Sequence, residues 1–281
     1  MPAPSIPQVS LPTGRLMPQF GFGTYKVTEG VYEAVSSALE LGYRHIDTAQ
    51  MYGNEDEVGR AIADSGIARE ELFITSKLNN GNHEPQVARE SFEQTLRDLR
   101  IDYVDLFLIH WPLPMHYGGD VALPWPVLEE FHGQGRALAI GLSNYQVEHI
   151  ETVMSRATVA PHVVQVEAHP FFQNRQVRDF TKANGMVFQA WSPLARGRAA
   201  LDPTLVEIGQ AHGVSGAQVA LRWALQRGDV VFPKSVTPSR QAENLDVFGF
   251  ELSDQEIARI DALDEGEAGR TGSHPDTLDR L

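Results

Sequence analysis

The chain has no cysteine among its 281 residues. That removes disulfide frameworks, thiolate nucleophiles and cysteine zinc sites together. Positive charge is scarce as well: 23 Lys and Arg stand against 37 Asp and Glu, a formal net charge of −14. Such a field repels polyphosphates and anionic bilayers. Neither a nucleic acid nor a membrane is expected as a partner, and a phosphate-bearing ligand needs a local cluster of cations. Long apolar runs are missing too. The best of them, Val104 to Leu108, is interrupted by Asp105 and ends at His110, far short of the ~18 residues that a spanning helix needs. The opening Met1-Pro-Ala-Pro-Ser-Ile-Pro has neither the basic nor the apolar region of an export signal. A cytoplasmic protein is the expectation. What is present, 42% hydrophobic and 21% charged residues, is the composition of a globular protein with a sizeable core.

Short β-type runs alternate with longer stretches of helical period. The runs expected as strands are 19–24, 45–47, 72–77, 106–110, 139–143, 163–167, 187–191 and 230–233. Helical patterns cover 31–41, 55–65, 85–99, 145–155, 176–183, 203–212, 216–226, 238–247 and 254–263. Asn54 followed by Glu57 resembles a capping box, and Gly42 and Gly185 sit where glycines close helices. Continuous apolar strands suit a parallel sheet covered on both faces. Eight strand–helix units spaced by roughly 30 residues predict an α/β fold, a (β/α)8 TIM barrel. Residues 6–17 read as an N-terminal β-hairpin able to plug one barrel end, and extra helices are expected at the C-terminus. No linker or charge block divides the chain, so one domain over 1–281 is expected. A doubly wound dinucleotide-binding sheet is the rival, but no strand is followed by G-x-G-x-x-G; Gly21-Phe22-Gly23 lacks the third glycine.

Polar residues collect where strands end. Asp47, Lys77, His110, Ser143-Asn144, Gln165, Glu167, Trp191-Ser192 and Lys234-Ser235 all lie at or just past the C-terminal end of an expected strand. In a barrel those ends converge on one face, where such folds place chemistry. Singly, each has an ordinary explanation: a core histidine, a turn cap, a snorkelling lysine, a tyrosine packed on its helix. Together, Asp47, Tyr52, Lys77 and His110 describe a proton donor. Lowering a phenol's ionisation by about three pH units takes roughly 4 kcal/mol, and an ammonium about 4 Å away at an effective dielectric near 20 supplies that. Asp47 would keep Lys77 charged and in place, partly offsetting its effect on Tyr52. His110 would donate to a developing oxyanion. Such a set protonates an alkoxide, as carbonyl reduction by hydride requires.

These residues also carry a resemblance. The run from Gly42 through His45, Asp47 and Tyr52 to Glu55 resembles the signature of the aldo-keto reductase family. So do Ile74-Thr-Ser-Lys77-Leu, Leu108-Ile-His110-Trp-Pro, Ile140-Gly-Leu-Ser143-Asn144 and Val231-Phe-Pro-Lys234-Ser235. The similarity spans nearly the whole chain and is strongest to prokaryotic reductases of 2,5-diketo-gluconate and small dicarbonyls. It implies a monomeric barrel that binds NADPH and reduces small-molecule carbonyls, namely aldehydes, dicarbonyls or keto-sugars. It implies Tyr52 as general acid, Lys77 and Asp47 as its tuning pair, and His110 as the donor that orients the carbonyl. Ser143, Asn144 and Gln165 match residues that hold the nicotinamide carboxamide, and Trp191 matches an aromatic stacked on the ring. Gly23, Thr24, Ser192, Pro193 and Leu194 match positions along the cofactor, and Glu243 and Asn244 match adenine contacts.

The adenine end has an independent rationale. Lys234-Ser235-Val236-Thr237-Pro238-Ser239-Arg240 leaves the last strand and enters a helix with Thr237 at N-cap and Pro238 at N1. Helix N-terminal N–H groups attract anions, and Lys234, Ser235 and Arg240 add donors for a 2′-phosphate, which favours NADPH over NADH. Where many relatives carry a tryptophan after Lys77-Leu78, this chain has Asn79-Asn80-Gly81-Asn82, so a more polar and open pocket wall is expected there. Phe22, Tyr25 and Trp111 are expected to form an apolar substrate rim. The 112–126 loop, with His116 and Tyr117, and the C-terminal tail are expected as mobile lids. Two other functions compete. His45, Asp47, His110, Glu167 and His169 could ligate a metal in a hydrolase, although no second bridging carboxylate is evident; no metal is expected. A non-catalytic NADPH sensor has no need of a tuned Tyr–Lys pair.

Overall fold

The computed structural model describes residues 6–281. Met1 to Ser5, part of the segment in which no export signal is read, lie outside the described residues. A hairpin comes first, β1 (Gln8–Ser10) and β2 (Leu16–Pro18), antiparallel with Val9 opposite Met17. Eight parallel strands follow: β3 (Phe22–Gly23), β4 (His45–Asp47), β5 (Phe73–Leu78), β6 (Leu106–Ile109), β7 (Ile140–Ser143), β8 (Val163–Glu167), β9 (Val187–Trp191) and β10 (Val230–Val231). They pair in chain order, and a parallel bridge between Phe20 and Val231 closes the sheet into a (β/α)8 barrel. Between the strands run α1 (Val31–Leu41), α2 (Glu55–Asp64), α3 (Pro85–Leu99), α4 (Trp125–Gly133), α5 (Val147–Met154), α6 (Arg175–Ala183), α7 (Pro203–His212) and α8 (Gly216–Gln226). After β10 come α9 (Pro238–Leu245) and α10 (Asp254–Asp261). Among the described residues no helix is long and apolar enough to cross a membrane.

Two apolar layers hold the barrel. Phe73, Leu106, Leu108, Ala139, Val163, Val230 and Phe232 fill its interior together with Leu11 and Met17, so the hairpin does plug the end opposite the chemistry. Arg15 fastens it there through the fully buried Asp105, 2.7 Å away, which Arg69 also holds. The larger layer lies between strands and helices, where buried hydrophobics face the sheet from each helix. Gly59 lets α2 and α3 touch: a Cβ there would meet the carbonyl of Asp98 at 2.2 Å.

The strand and helix expectations hold to within a few residues, with three differences. The 19–24 strand is paired as β3 only over Phe22–Gly23, and α4 has no counterpart among the helical patterns. Its first turn holds Pro126, and Trp125 is buried with its indole N–H on the Val159 carbonyl at 3.2 Å. The expected 112–126 loop therefore stops where α4 begins. Asn54 does not form a capping box. Its amide donates to the Thr24 and Val27 carbonyls and its oxygen accepts from Thr48, while Glu57 accepts the Tyr32 N–H. Tertiary partners outcompete the local cap. Gly42 does close α1, at φ 106°, and Gly185 follows α6 at φ 71°.

Candidate active site

Three neighbouring strands bring the expected tetrad together. Asp47 ends β4, Lys77 sits one residue before the end of β5, and His110 directly follows β6. Tyr52 closes a single 3-10 turn, Gln50–Tyr52, after which Gly53 leaves at φ 65°. Gln50 anchors that turn: its carbonyl oxygen accepts from the Asn79 N–H and the Asn82 amide, and its nitrogen reaches Ser91 and Thr95. Lys77, with no solvent exposure, donates to Asp47 Oδ1 at 2.6 Å, to the Thr48 carbonyl at 2.8 Å and to Tyr52 Oη at 3.4 Å. The Tyr52 ring meets His110 edge-on at 5.6 Å and Tyr25 at 5.1 Å.

The electrostatics depart from expectation at Tyr52. Burial, reinforced by the Asp47 charge and Tyr25, holds its phenol well above the ordinary 10. The ammonium at 3.4 Å does not outweigh them, so Tyr52 carries its proton throughout the physiological range. Burial also lowers Lys77 from 10.5, against the pull of Asp47. Burial and the Lys77 charge keep His110 well below 6.5, a neutral imidazole whose Nδ1 has no partner. The floor of the site therefore offers a protonated phenol beside a neutral imidazole, over a buried cation fixed by its carboxylate.

These groups open into a cleft of about 900 Å³. Gly23, Tyr25, Asp47, Tyr52, His110, Trp111, Ser143, Asn144, Gln165, Trp191, Ser192, Pro193 and Leu194 line one part of it. Lys234, Ser235, Val236, Thr237, Arg240, Glu243 and Asn244 line the other. Thr24 stands behind the wall, its hydroxyl on the Asp47 carbonyl and on Thr48. Phe22 is not part of the rim. It is fully buried on the helix side of β3, edge-on to Tyr43 at 5.9 Å, because alternate residues of a strand face opposite sides. Nor do Asn79, Asn80, Gly81 and Asn82 line the cleft. Asn79 caps the turn, Asn82 holds Gln50, and the buried Asn80 donates to the Arg280 carbonyl at 2.7 Å. Tyr117 donates to the Asn80 carbonyl and His116 meets Asp279 at 2.7 Å, so loop and tail are tied to this turn.

The donor set suits a dinucleotide. The Gln165 nitrogen is engaged by Asp47 and Gln189, leaving its oxygen as an acceptor; Ser143 brings a hydroxyl; Trp191 brings a flat apolar face. A carboxamide needs such an acceptor–donor pair, and its ring such a face. Asn144, left-handed at φ 65°, accepts the Trp191 indole N–H at 2.8 Å and donates to the His110 carbonyl. At the far end Lys234 and Arg240 are exposed beside the start of α9, where Ser235 Oγ rather than Thr237 accepts a backbone N–H. Sequence reasoning missed Lys26, Met51, Arg196, Phe232, Gly272 and Ser273 in the lining. Arg196 had a signal: a cation two residues past Leu194, in a run whose backbone turns left-handed at Ala195, Arg196 and Gly197. The metal reading finds no ligand set. His45 lies inside the barrel between the Pro18 carbonyl and Thr75, pushed down to about 4 by burial. Among the described residues no group of three or more His, Asp or Glu could hold an ion.

Comparison with known proteins is consistent along the chain. A family model described as "Aldo/keto reductase family" matches residues 19–265. Glyoxal reductase of Bacillus subtilis is 44% identical over 280 residues, 99% of each chain. Methylglyoxal reductase DkgA of Escherichia coli K12 is 40% identical, over 95% of this chain and 96% of that protein. Among solved structures, a Gox0644 variant in complex with NADPH superposes with a TM-score of 0.93 at 38% identity, covering 99% of this chain and all of that one.

Proposed function

This chain belongs to the aldo/keto reductase family and is an NADPH-dependent oxidoreductase acting on carbonyls; we propose that Tyr52 gives the proton in that reaction and that small dicarbonyls are its substrates. The observation that carries the reading is Lys77 Nζ, held at 2.6 Å by Asp47 and 3.4 Å from Tyr52 Oη, at the floor of a cleft that His110 also faces. When bound, NADPH supplies the hydride that reaches the carbonyl carbon. Tyr52 transfers its phenolic proton to the oxygen that becomes the alcohol. His110, neutral, offers one N–H to that oxygen and orients the carbonyl. Lys77 stabilises the phenolate left behind, and Asp47 keeps the buried Lys77 charged. A protein that only bound NADPH would gain nothing from a buried ammonium beside a phenol.

For the cofactor, the placement follows the cleft. Ser143 and Gln165 meet the carboxamide, Trp191 stacks on the ring, and Asn144 steadies Trp191. Gly23, Ser192, Pro193 and Leu194 run along the middle, where Lys26 and Arg196 add positive charge. Lys234, Ser235, Val236, Thr237 and Arg240 take the 2′-phosphate, with Glu243 and Asn244 at the adenine. For the substrate, Tyr25 packs on the Tyr52 ring, and Trp111 and Met51 add apolar surface to the same cleft, which favours small carbonyls; the glyoxal and methylglyoxal reductases among the relatives support the same class. The reading takes the protein as a cytoplasmic monomer, which size-exclusion chromatography at micromolar concentration tests for the oligomeric state. NADPH oxidation with methylglyoxal, glyoxal, keto-sugars and long-chain aldehydes tests the proposal. Preference for the dicarbonyls is expected; turnover confined to long-chain aldehydes would overturn the substrate class.

A further inference from the structure

Glu167 ends β8 beneath the C-terminal tail, and the chemistry above makes no use of it. Its side chain is fully buried, as is that of His169 beside it. Oε1 accepts the Thr271 N–H at 2.8 Å, the Thr271 hydroxyl, and His169 Nε2 at 3.2 Å. Oε2 accepts the Gly272 N–H at 2.9 Å. A buried carboxylate with its lone pairs so filled is costly to detach, so the tail is seated firmly on the barrel rim. Gly272 then lies against Trp191: a Cβ on Gly272 would meet the ring's Cη2 at 2.4 Å and Glu167 Oε2 at 3.0 Å. Its φ is not positive, so glycine is required here by space and not by backbone conformation. The nitrogen of the same indole is held by Asn144 Oδ1, 2.8 Å from Nε1.

We propose that Glu167 and Gly272 are positioning residues for the cofactor: the buried carboxylate seats the tail so that Gly272 sets the tilt of the Trp191 ring. Asn144 pins the indole nitrogen and Gly272 abuts the benzo ring at Cη2, so the two together fix how the ring is presented to the nicotinamide. The tail, which lines the cleft at Gly272 and Ser273, thereby becomes part of the cofactor site. This inference rests on the placement of Trp191 as the stacking aromatic.

The test is a double-variant cycle read by NADPH fluorescence titration. Gly272→Ala forces the ring aside, and overpacking of that size weakens NADPH about tenfold. Glu167→Gln turns an amide nitrogen toward backbone N–H groups and weakens it in the same direction. In a Trp191→Ala background the added methyl of Gly272→Ala has room, and the further loss disappears. A merely structural role for the tail would give the same loss with or without the indole, which overturns the proposal, as does unchanged affinity in Gly272→Ala. If that variant fails to fold, Thr271→Val, which loses only the hydroxyl contact, is expected to show a smaller loss that again vanishes without Trp191; persistence of the loss refutes the coupling. Trp191→Ala alone tests the placement beneath: if it binds NADPH as the parent does, the stacking assignment fails, whatever Gly272 does.

Discussion

Glu55, in the first turn of α2, gives a stability prediction with a defined sign. Its carboxylate is buried between Ser76, whose hydroxyl donates at 2.5 Å, and Thr95, at 3.1 Å. Burial nevertheless pushes it up from 4.5 to about 7, against those two bonds and the Lys77 charge. A carboxyl that holds its proton more tightly in the folded state than in the unfolded chain favours folding below 4.5, and that contribution is lost as pH rises through about 7. The interval corresponds to about 3 kcal/mol. Glu55→Gln cannot ionise, so its stability relative to the parent should climb by about 3 kcal/mol across the same window. Titrating groups that do not interact with Glu55 cancel in that difference. Urea unfolding of both proteins at a series of pH values between 4.5 and 8 measures it. A difference that stays flat with pH would show that Glu55 is ionised in the folded protein and that burial does not dominate there.

Asp47→Asn leaves the Lys77 ammonium buried with neutral acceptors only, which costs about 3–5 kcal/mol if the charge is kept. Carbonyl reduction in this variant should fall sharply and fail at lower pH than in the parent; an unmoved alkaline limb would count against Lys77 acting through its charge. Arg240→Ala should weaken NADPH much more than NADH, since only NADPH carries the 2′-phosphate, and equal losses would displace that group from α9. His45, pushed down to about 4 inside the barrel, should stay neutral through pH 6.5. Its contribution to stability is present above 6.5 and lost as pH falls through about 4. Proton NMR that showed it titrating near 6.5 would contradict the closed interior.

Much of this was legible because barrels align chemistry with strand ends. Asp47 and Lys77 close short β-type runs and His110 follows the apolar Leu106–Ile109, and the C-terminal ends of barrel strands share one face. Tyr52 needed more: it lies past a strand, on a turn that Gln50 ties to the loop after β5 through long-range hydrogen bonds. Phe22 was misread because a two-residue strand does not reveal which face each residue takes. The Asn79–Asn82 turn was misread because its amides answer to Gln50 and to Arg280, near the end of the chain. The acidity of Tyr52 was misjudged for a related reason. Coulomb attraction to Lys77 can be guessed from residue types, whereas the desolvation that opposes it depends on packing contributed by the whole barrel.

The most direct test of the account is Tyr52→Phe, measured for NADPH binding and for carbonyl reduction on the same preparation. Removing one hydroxyl from a ring held between His110 and Tyr25 leaves the packing in place. The account predicts NADPH affinity within error of the parent and turnover reduced about 10²–10⁴-fold. Turnover that survives the substitution would contradict the claim that Tyr52 is the proton donor.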